Sequence, residues 1–246
     1  MENEIVTAEQ LAEGKQFYDR NGYLAVPVLE PKECDGLLRL LEKYADKDFS
    51  AEMNLDRKVP ELKALMRDKR IVSIIRTLQN NSVIGTLISQ ILFKKAGTVY
   101  ANQAWEPHQD NSYPQAPYGA MLTVNIFLED ADRENGCMYV CPRSHAYNKE
   151  LLPFVPTPSY KEKSSDNQDG SGSNPGNRVE IPPGYQKRDV IVKKGTLLVM
   201  HGHMIHGSYA NTSTNRSRPL FSITYCNKNA SFLKGKNAKR EWEPVE

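Results

Sequence analysis

The run Met121-Leu-Thr-Val-Asn-Ile-Phe-Leu128 alternates strictly, with Leu122, Val124, Ile126 and Leu128 on one face and Met121, Thr123, Asn125 and Phe127 on the other. A period of two belongs to a strand, because a helix would scatter those residues around its axis. More strand-like runs follow at Cys137–Cys141, Val190–Val192, Gly195–Met200 and Arg218–Tyr225, and Asn135-Gly136 reads as the hairpin turn after the first run. Before about residue 90 the texture differs. Ala8–Tyr18, the segment after Pro31 with Leu37, Leu38, Leu40 and Leu41, and residues 60–91 carry apolar side chains at helical spacing. A short strand at Tyr23–Leu29 interrupts them. Helices followed by many short strands predict a mainly β, α+β chain built on a barrel or sandwich. The expected organisation is one domain over 1–246, helical over about 1–89 and β-rich over about 90–246. Residues 156–189 are rich in Ser, Gly, Asn, Asp and Pro and are expected to form a long loop that serves as a lid.

Composition removes several function classes. With 32 Lys and Arg against 30 Asp and Glu, the net charge is only +2, too weak a basic field for nucleic acid. No apolar run reaches the ~18 residues of a membrane helix. The opening Met1-Glu2-Asn3-Glu4 is polar and acidic, unlike a secretory signal. The cysteines at 34, 137, 141 and 226 are too few for a disulfide framework, and Cys137 and Cys141 on one strand would lie ~13 Å apart. A reduced, cytoplasmic protein with a small-molecule partner is expected.

The chemistry-bearing residues are histidines. In His108-Gln109-Asp110 an imidazole and a carboxylate leave the same side of an extended segment, so both reach one ion. A later histidine would complete a 2-His-1-carboxylate set, which holds Fe(II) and leaves positions open. His206, in His206-Gly207-Ser208, is the candidate, with His201 and His203 as competitors. Arg218, Leu220, Ser222 and Thr224 share one strand face, as do Thr123 and Asn125. Two polar faces suit either solvent or a barrel interior that holds a charged small molecule, with the apolar faces turned outward against helices. An inward guanidinium would grip a carboxylate in bidentate fashion.

Four segments, in order, carry a resemblance: Trp105-Glu-Pro-His-Gln-Asp-Asn-Ser-Tyr113, Thr123–Asp130 with Asn135-Gly136-Cys137, Cys141-Pro-Arg-Ser-His145, and Gly195–His201 with His206-Gly-Ser208 and Arg218. Together with Tyr18–Leu29 they resemble the phytanoyl-CoA dioxygenase family of Fe(II)/2-oxoglutarate oxygenases. The resemblance implies a double-stranded β-helix, a cupin-like jelly roll flanked by helices. It implies His108, Asp110 and His206 as iron ligands, and Arg218 as the partner of the distal 2-oxoglutarate carboxylate. Ser208 and Asn125 become further co-substrate contacts, while His145 is structural. Gln103, Trp105, Asn111 and Tyr113 are the candidate substrate lining. Two departures stand out. Glu106-Pro107 separate Trp105 from His108, so the lead-in strand is expected to bulge, and the His206–Arg218 interval leaves Arg216 as a rival anchor. The implied activity consumes O2 and 2-oxoglutarate and releases succinate and CO2. An Asp at position 110, where related halogenases carry a small residue, points to hydroxylation. Desaturation, epimerisation and ring formation share the same ligands. A non-catalytic jelly roll that binds a small molecule and a non-oxidative cupin enzyme such as an isomerase are the competing classes.

Overall fold

The computed structural model describes residues 8–44, 51–98, 101–156 and 177–245. Its helices are α1 (Ala8–Asn21), α2 (Pro31–Glu42), α3 (Pro60–Leu65) and α4 (Lys69–Leu78). In chain order the strands are β1 (Tyr23–Pro27), β2 (Ala51–Met53), β3 (Ile84–Leu92), β4 (Trp105–His108), β5 (Met121–Phe127), β6 (Met138–Val140) and β7 (Phe154–Pro156). They continue with β8 (Asn177–Val179), β9 (Arg188–Val190), β10 (Thr196–His201), β11 (His206–Ser208), β12 (Leu220–Asn227) and β13 (Glu243–Pro244). No described helix is long and apolar enough to cross a membrane.

The larger sheet has the order β1-β10-β5-β12-β3-β13, with β2 also paired to β3, and the smaller has β4-β11-β6-β9. All of these pairings are antiparallel. One face of the larger sheet presents Leu122, Val124, Ile126, Leu197, Val199, Phe221 and Ile223 to Leu41, Leu62, Ile71, Ile75 and Leu78 from the helices. Ile71 and Ile75 are wholly buried there, and truncating either to Ala would cost about 2–5 kcal/mol. The opposite face sends Phe127, Leu198, Met200 and Leu220 against Met138 and Val140 of the smaller sheet. The result is a double-stranded β-helix whose apolar outer face packs on helices. Its inner face mixes these apolar residues with Thr123, Asn125, Ser222 and Thr224, because residues directly opposite on paired strands point the same way.

Three expectations are corrected. Helical residues do not run to 91: Asn80 and Asn81 adopt left-handed φ of 54° and 58°, ending the helical stretch, and Ile84 onward forms β3. Ser89 and Gln90 are bridged there to Ile223 and Ser222, so pairing overrides the apparent helical spacing. Asn135-Gly136 is not a hairpin turn. β5 and β6 belong to different sheets, and the connection carries the chain across the sandwich. Gly136 has φ +81°, and a Cβ there would press on the Tyr209 and Ala210 backbone, so its glycine serves a close approach. β9 starts two residues before the expected Val190–Val192, since Val140, Tyr139 and Met138 pair with Arg188, Asp189 and Val190. Val192 is left with a single bridge to Ala131. The expected lid lies outside the described residues over 157–176. Its described ends are strands, Pro156 in β7 and Asn177–Val179 in β8, paired with each other.

Candidate metal centre

β11 lies between β4 and β6, and its first residue, His206, is the register partner of His108. The β4–β11 register slips between His206↔His108 and Ser208↔Trp105, so Glu106 and Pro107 on β4 face Gly207 alone on β11. This is the expected bulge at Glu106-Pro107. Proline has no N–H to give to a ladder, and the extra residue turns the strand end toward the site. A 3-10 turn at Asp110–Ser112 then returns the carboxylate. Gln109, wholly buried, holds that turn: its amide donates to the His203 carbonyl at 2.8 Å, and its oxygen accepts from Leu152 N–H at 2.8 Å. Gly207 is required between His206 and Ser208, because a Cβ would collide with the Tyr139 hydroxyl and the Trp105 carbonyl.

The side chains of His108, Asp110 and His206 converge. Asp110 Oδ1 is 3.5 Å from Nε2 of each histidine, and the two rings lie 4.3 Å apart. One ligand atom from each residue falls within 4.8 Å of the others. Around metal–ligand bonds of roughly 2.0–2.2 Å, neighbouring ligands sit about 3 Å apart, so only small adjustments close a facial set. The tautomers suit ligation. His108 Nδ1 faces the Glu106 carbonyl at 2.7 Å and His206 Nδ1 the Met204 carbonyl at 3.0 Å, which leaves each Nε2 lone pair aimed at the centre. Burial would raise the Asp110 pKa, but the facing imidazoles of His206 and His108 hold it well below the usual carboxylate range. Burial likewise opposes the charge on His206, and Asp110 outweighs it, raising the His206 pKa. His201 and His203 do not join this set. At the β10–β11 connection they meet the rings of Tyr118 and His145 instead.

A second cluster lies beyond Ser208. Ser208 Oγ accepts from Lys94 Nζ at 2.9 Å, and Lys94 Nζ also donates to the Tyr209 carbonyl. Lys94 and Arg218 form a backbone bridge, and both are buried, at 0% and 2% exposure. Arg218 Nε donates to the Gly136 carbonyl at 3.2 Å and Nη1 to the Leu92 carbonyl at 3.3 Å. Burial first, then the Arg218 charge, drives the Lys94 pKa well below its ordinary value. An amine and a guanidinium thus share one buried corner. Arg216 is no rival, since it points outward to Asp132 at 2.7 Å and Glu134 at 3.2 Å. Lys94 was not among the sequence candidates. The signal was the inward parity of Gln90 and Leu92 in β3, which continues to Lys94 just beyond the strand.

The remaining candidates divide. Asn125 is 2% exposed on the inner face; its Nδ2 and the nearby Thr123 Oγ1 have no hydrogen-bond partner among the described residues. Trp105 and Tyr113 flank His108, with ring centroids 6.0 and 6.4 Å away, and the Tyr113 hydroxyl accepts from Asn177 N–H at 2.8 Å. Gln103 is half-buried just before β4. Asn111 is wholly buried and holds its turn: its oxygen accepts from Ala116 N–H at 2.8 Å and its nitrogen donates to the Ala116 carbonyl at 2.7 Å.

Comparison with known proteins follows the same lines. The family model described as Phytanoyl-CoA dioxygenase (PhyH) matches residues 18–220. A phytanoyl-CoA dioxygenase of Arabidopsis thaliana is 30% identical over 120 residues, covering 48% of this chain and 36% of that protein. Phytanoyl-CoA dioxygenase domain-containing protein 1 of Danio rerio is 31% identical over 167 residues, 67% of this chain and 52% of its own length. The chain thus spans about a third to a half of the length of these curated relatives. Among solved structures, the epimerase SnoN in complex with Fe3+, α-ketoglutarate and nogalamycin RO superposes with a TM-score of 0.72 at 21% identity, covering 97% of this chain and 96% of SnoN. At that identity the likeness is one of fold.

Proposed function

The chain belongs to the phytanoyl-CoA dioxygenase family, and from that premise we propose that it is a non-haem Fe(II)/2-oxoglutarate-dependent oxygenase that hydroxylates a small-molecule metabolite, releasing succinate and CO2. The observation that carries this reading is the convergence of His108, Asp110 and His206. The donor set fits iron: two imidazoles and one carboxylate on one side of the site satisfy its ligand preference and leave room for exchangeable ligands. When bound, Fe(II) with 2-oxoglutarate and O2 supplies the oxidising chemistry. The chain's own share is holding, orienting and drying. His108, Asp110 and His206 hold the metal, with both tautomers set by backbone carbonyls. Lys94, Arg218 and Ser208 take the distal carboxylate of 2-oxoglutarate, whose charge offsets the Arg218 guanidinium and favours a protonated Lys94. Asn125 offers its unpartnered amide to the same molecule. Phe127, Leu198, Met200 and Leu220 keep water from the inner face. Trp105, Tyr113 and Gln103 line the substrate side.

All four cysteines are free and buried, which supports a cytoplasmic setting. SnoN is named an epimerase on the same fold, so product analysis has to look beyond a hydroxylated product. The deciding experiment is an anaerobic titration of the protein with Fe(II) and 2-oxoglutarate. A weak visible absorption band is expected, lost in His108→Ala and Asp110→Ala along with bound iron. Absence of the band, with no succinate formed across a metabolite panel, would favour a jelly roll that only binds.

A further inference from the structure

Arg240 lies in the C-terminal segment, beyond the 18–220 stretch of the family match. It is 9% exposed. Its Nη1 donates to the Leu233 and Lys234 carbonyls at 3.3 and 3.4 Å. Among the described residues no acceptor meets its Nε or Nη2, and no carboxylate pairs with it. The nearest acids in sequence are committed elsewhere: Glu241 faces Arg57 at 3.8 Å, and Glu243 pairs with Lys63 at 2.8 Å.

The segment closes onto the turn that follows Asp110. Leu233 N–H donates to the Pro114 carbonyl at 2.6 Å, while Ala238 and Phe232 pack with Ala116, Ala120 and Met121. Met121 and Cys226 are register partners at one end of the inner face, and Arg218 marks the other. Eight residues of β-strand separate Cys226 from Arg218, roughly 27 Å. Ser208 leans to the Arg218 end through Lys94, and His206 lies on the Arg240 side of it along β11. Arg240 is within electrostatic reach of Asp110 and Tyr113, which favour its charge while burial opposes it. Exposed Lys234, Lys236 and Lys239 on the same segment add a positive field that draws anions inward. A buried guanidinium with two free donor positions and no counter-ion is costly unless an oxyanion completes it.

Resting on the function proposed above, we propose that Arg240 is a specificity-determining residue that binds an oxyanion of the primary substrate, a carboxylate or a phosphate, on the opposite side of the metal from Lys94 and Arg218. The substrate is then held at its acidic end while the carbon to be oxidised reaches the metal.

Matched probes test this by calorimetry, with metal-free protein and with anaerobic protein carrying Fe(II) and 2-oxoglutarate. Hexanoate, 3-phenylpropanoate and N-acetyl-leucine are compared with their amides, and phenyl phosphate with phenol. At least one oxyanion is expected to bind about 10- to 100-fold more tightly than its neutral counterpart, the range a charge-assisted hydrogen bond carries. The probe that shows it tells carboxylate from phosphate. Arg240→Gln should abolish the preference and Arg240→Lys retain part of it, both with unchanged 2-oxoglutarate affinity. A merely structural clip would change thermal stability without changing the acid-to-amide ratio. No preference for any oxyanion, or a preference that survives Arg240→Gln, overturns the proposal. Failure of the function itself shows separately, as absent 2-oxoglutarate binding by the wild-type protein.

Discussion

His203→Leu isolates the buried imidazoles that take no part in the metal centre. His145, His201 and His203 are 5%, 8% and 4% exposed, with ring centroids 5.2 Å apart for His145–His201 and 5.5 Å for His201–His203. Burial, then the neighbouring imidazoles, push His201 down to about 3 and His203 down to about 4. An unfolded chain titrates these groups near 6.5, so below that pH it binds protons that the folded protein refuses, and stability falls as the solution is acidified. The stabilising contribution is complete above about pH 6.5 and is lost as the pH drops toward about 4 and then 3. One histidine loses about 1.4 kcal/mol per pH unit, so at pH 5 His203 alone accounts for about 2 kcal/mol. Its Nδ1 is buried with no partner among the described residues, so leucine should leave stability at pH 7.5 nearly unchanged. Urea unfolding of both proteins at pH 7.5 and pH 5 measures the difference. The acid-induced loss should be about 2 kcal/mol smaller in the variant. Asp110 and His206 titrate alike in both proteins and cancel. Equal losses would refute the assignment of acid sensitivity to this cluster.

At the proposed co-substrate site, Arg218→Ala and Lys94→Met should each raise the 2-oxoglutarate dissociation constant about 10- to 100-fold without loss of bound iron, measured by anaerobic titration. Arg216→Ala, whose guanidinium is held by Asp132 and Glu134, should leave it unchanged. Gly207→Ala drives a methyl group into Tyr139 and Trp105, so calorimetry should show Tm lower by roughly 2–12 °C, with reduced iron content because His206 moves with the strand.

Much of the site was legible because its signals are local. His108 and Asp110 are two residues apart on an extended segment, so their shared side follows from strand geometry alone. The Glu106-Pro107 insertion foretold the bulge in the same way. The polar parity of Thr123, Asn125 and Ser222 against the apolar parity of Val124 and Ile126 left solvent and a barrel interior open, and the packing of the apolar face on the helices decides for the interior. Lys94 escaped because nothing local marks a lysine just past a strand end as buried, and only its bridge to Arg218 puts it inside. The turn role of Asn111 was not legible either: only the fold shows both its amide atoms bonded to Ala116.

Residue order alone therefore determined that His108 and Asp110 share one side of their segment and which face of each strand is apolar, since both follow from periods of two and from short spacings. Tertiary structure alone decided that β5 and β6 part into different sheets, that Lys94 joins Arg218, that Arg216 pairs with Asp132 and Glu134, and that the C-terminal segment carrying Arg240 packs on the turn after Asp110. Those outcomes depend on contacts between residues far apart in the chain, chosen by which pairing buries the apolar faces and satisfies the backbone together. No local pattern records that choice.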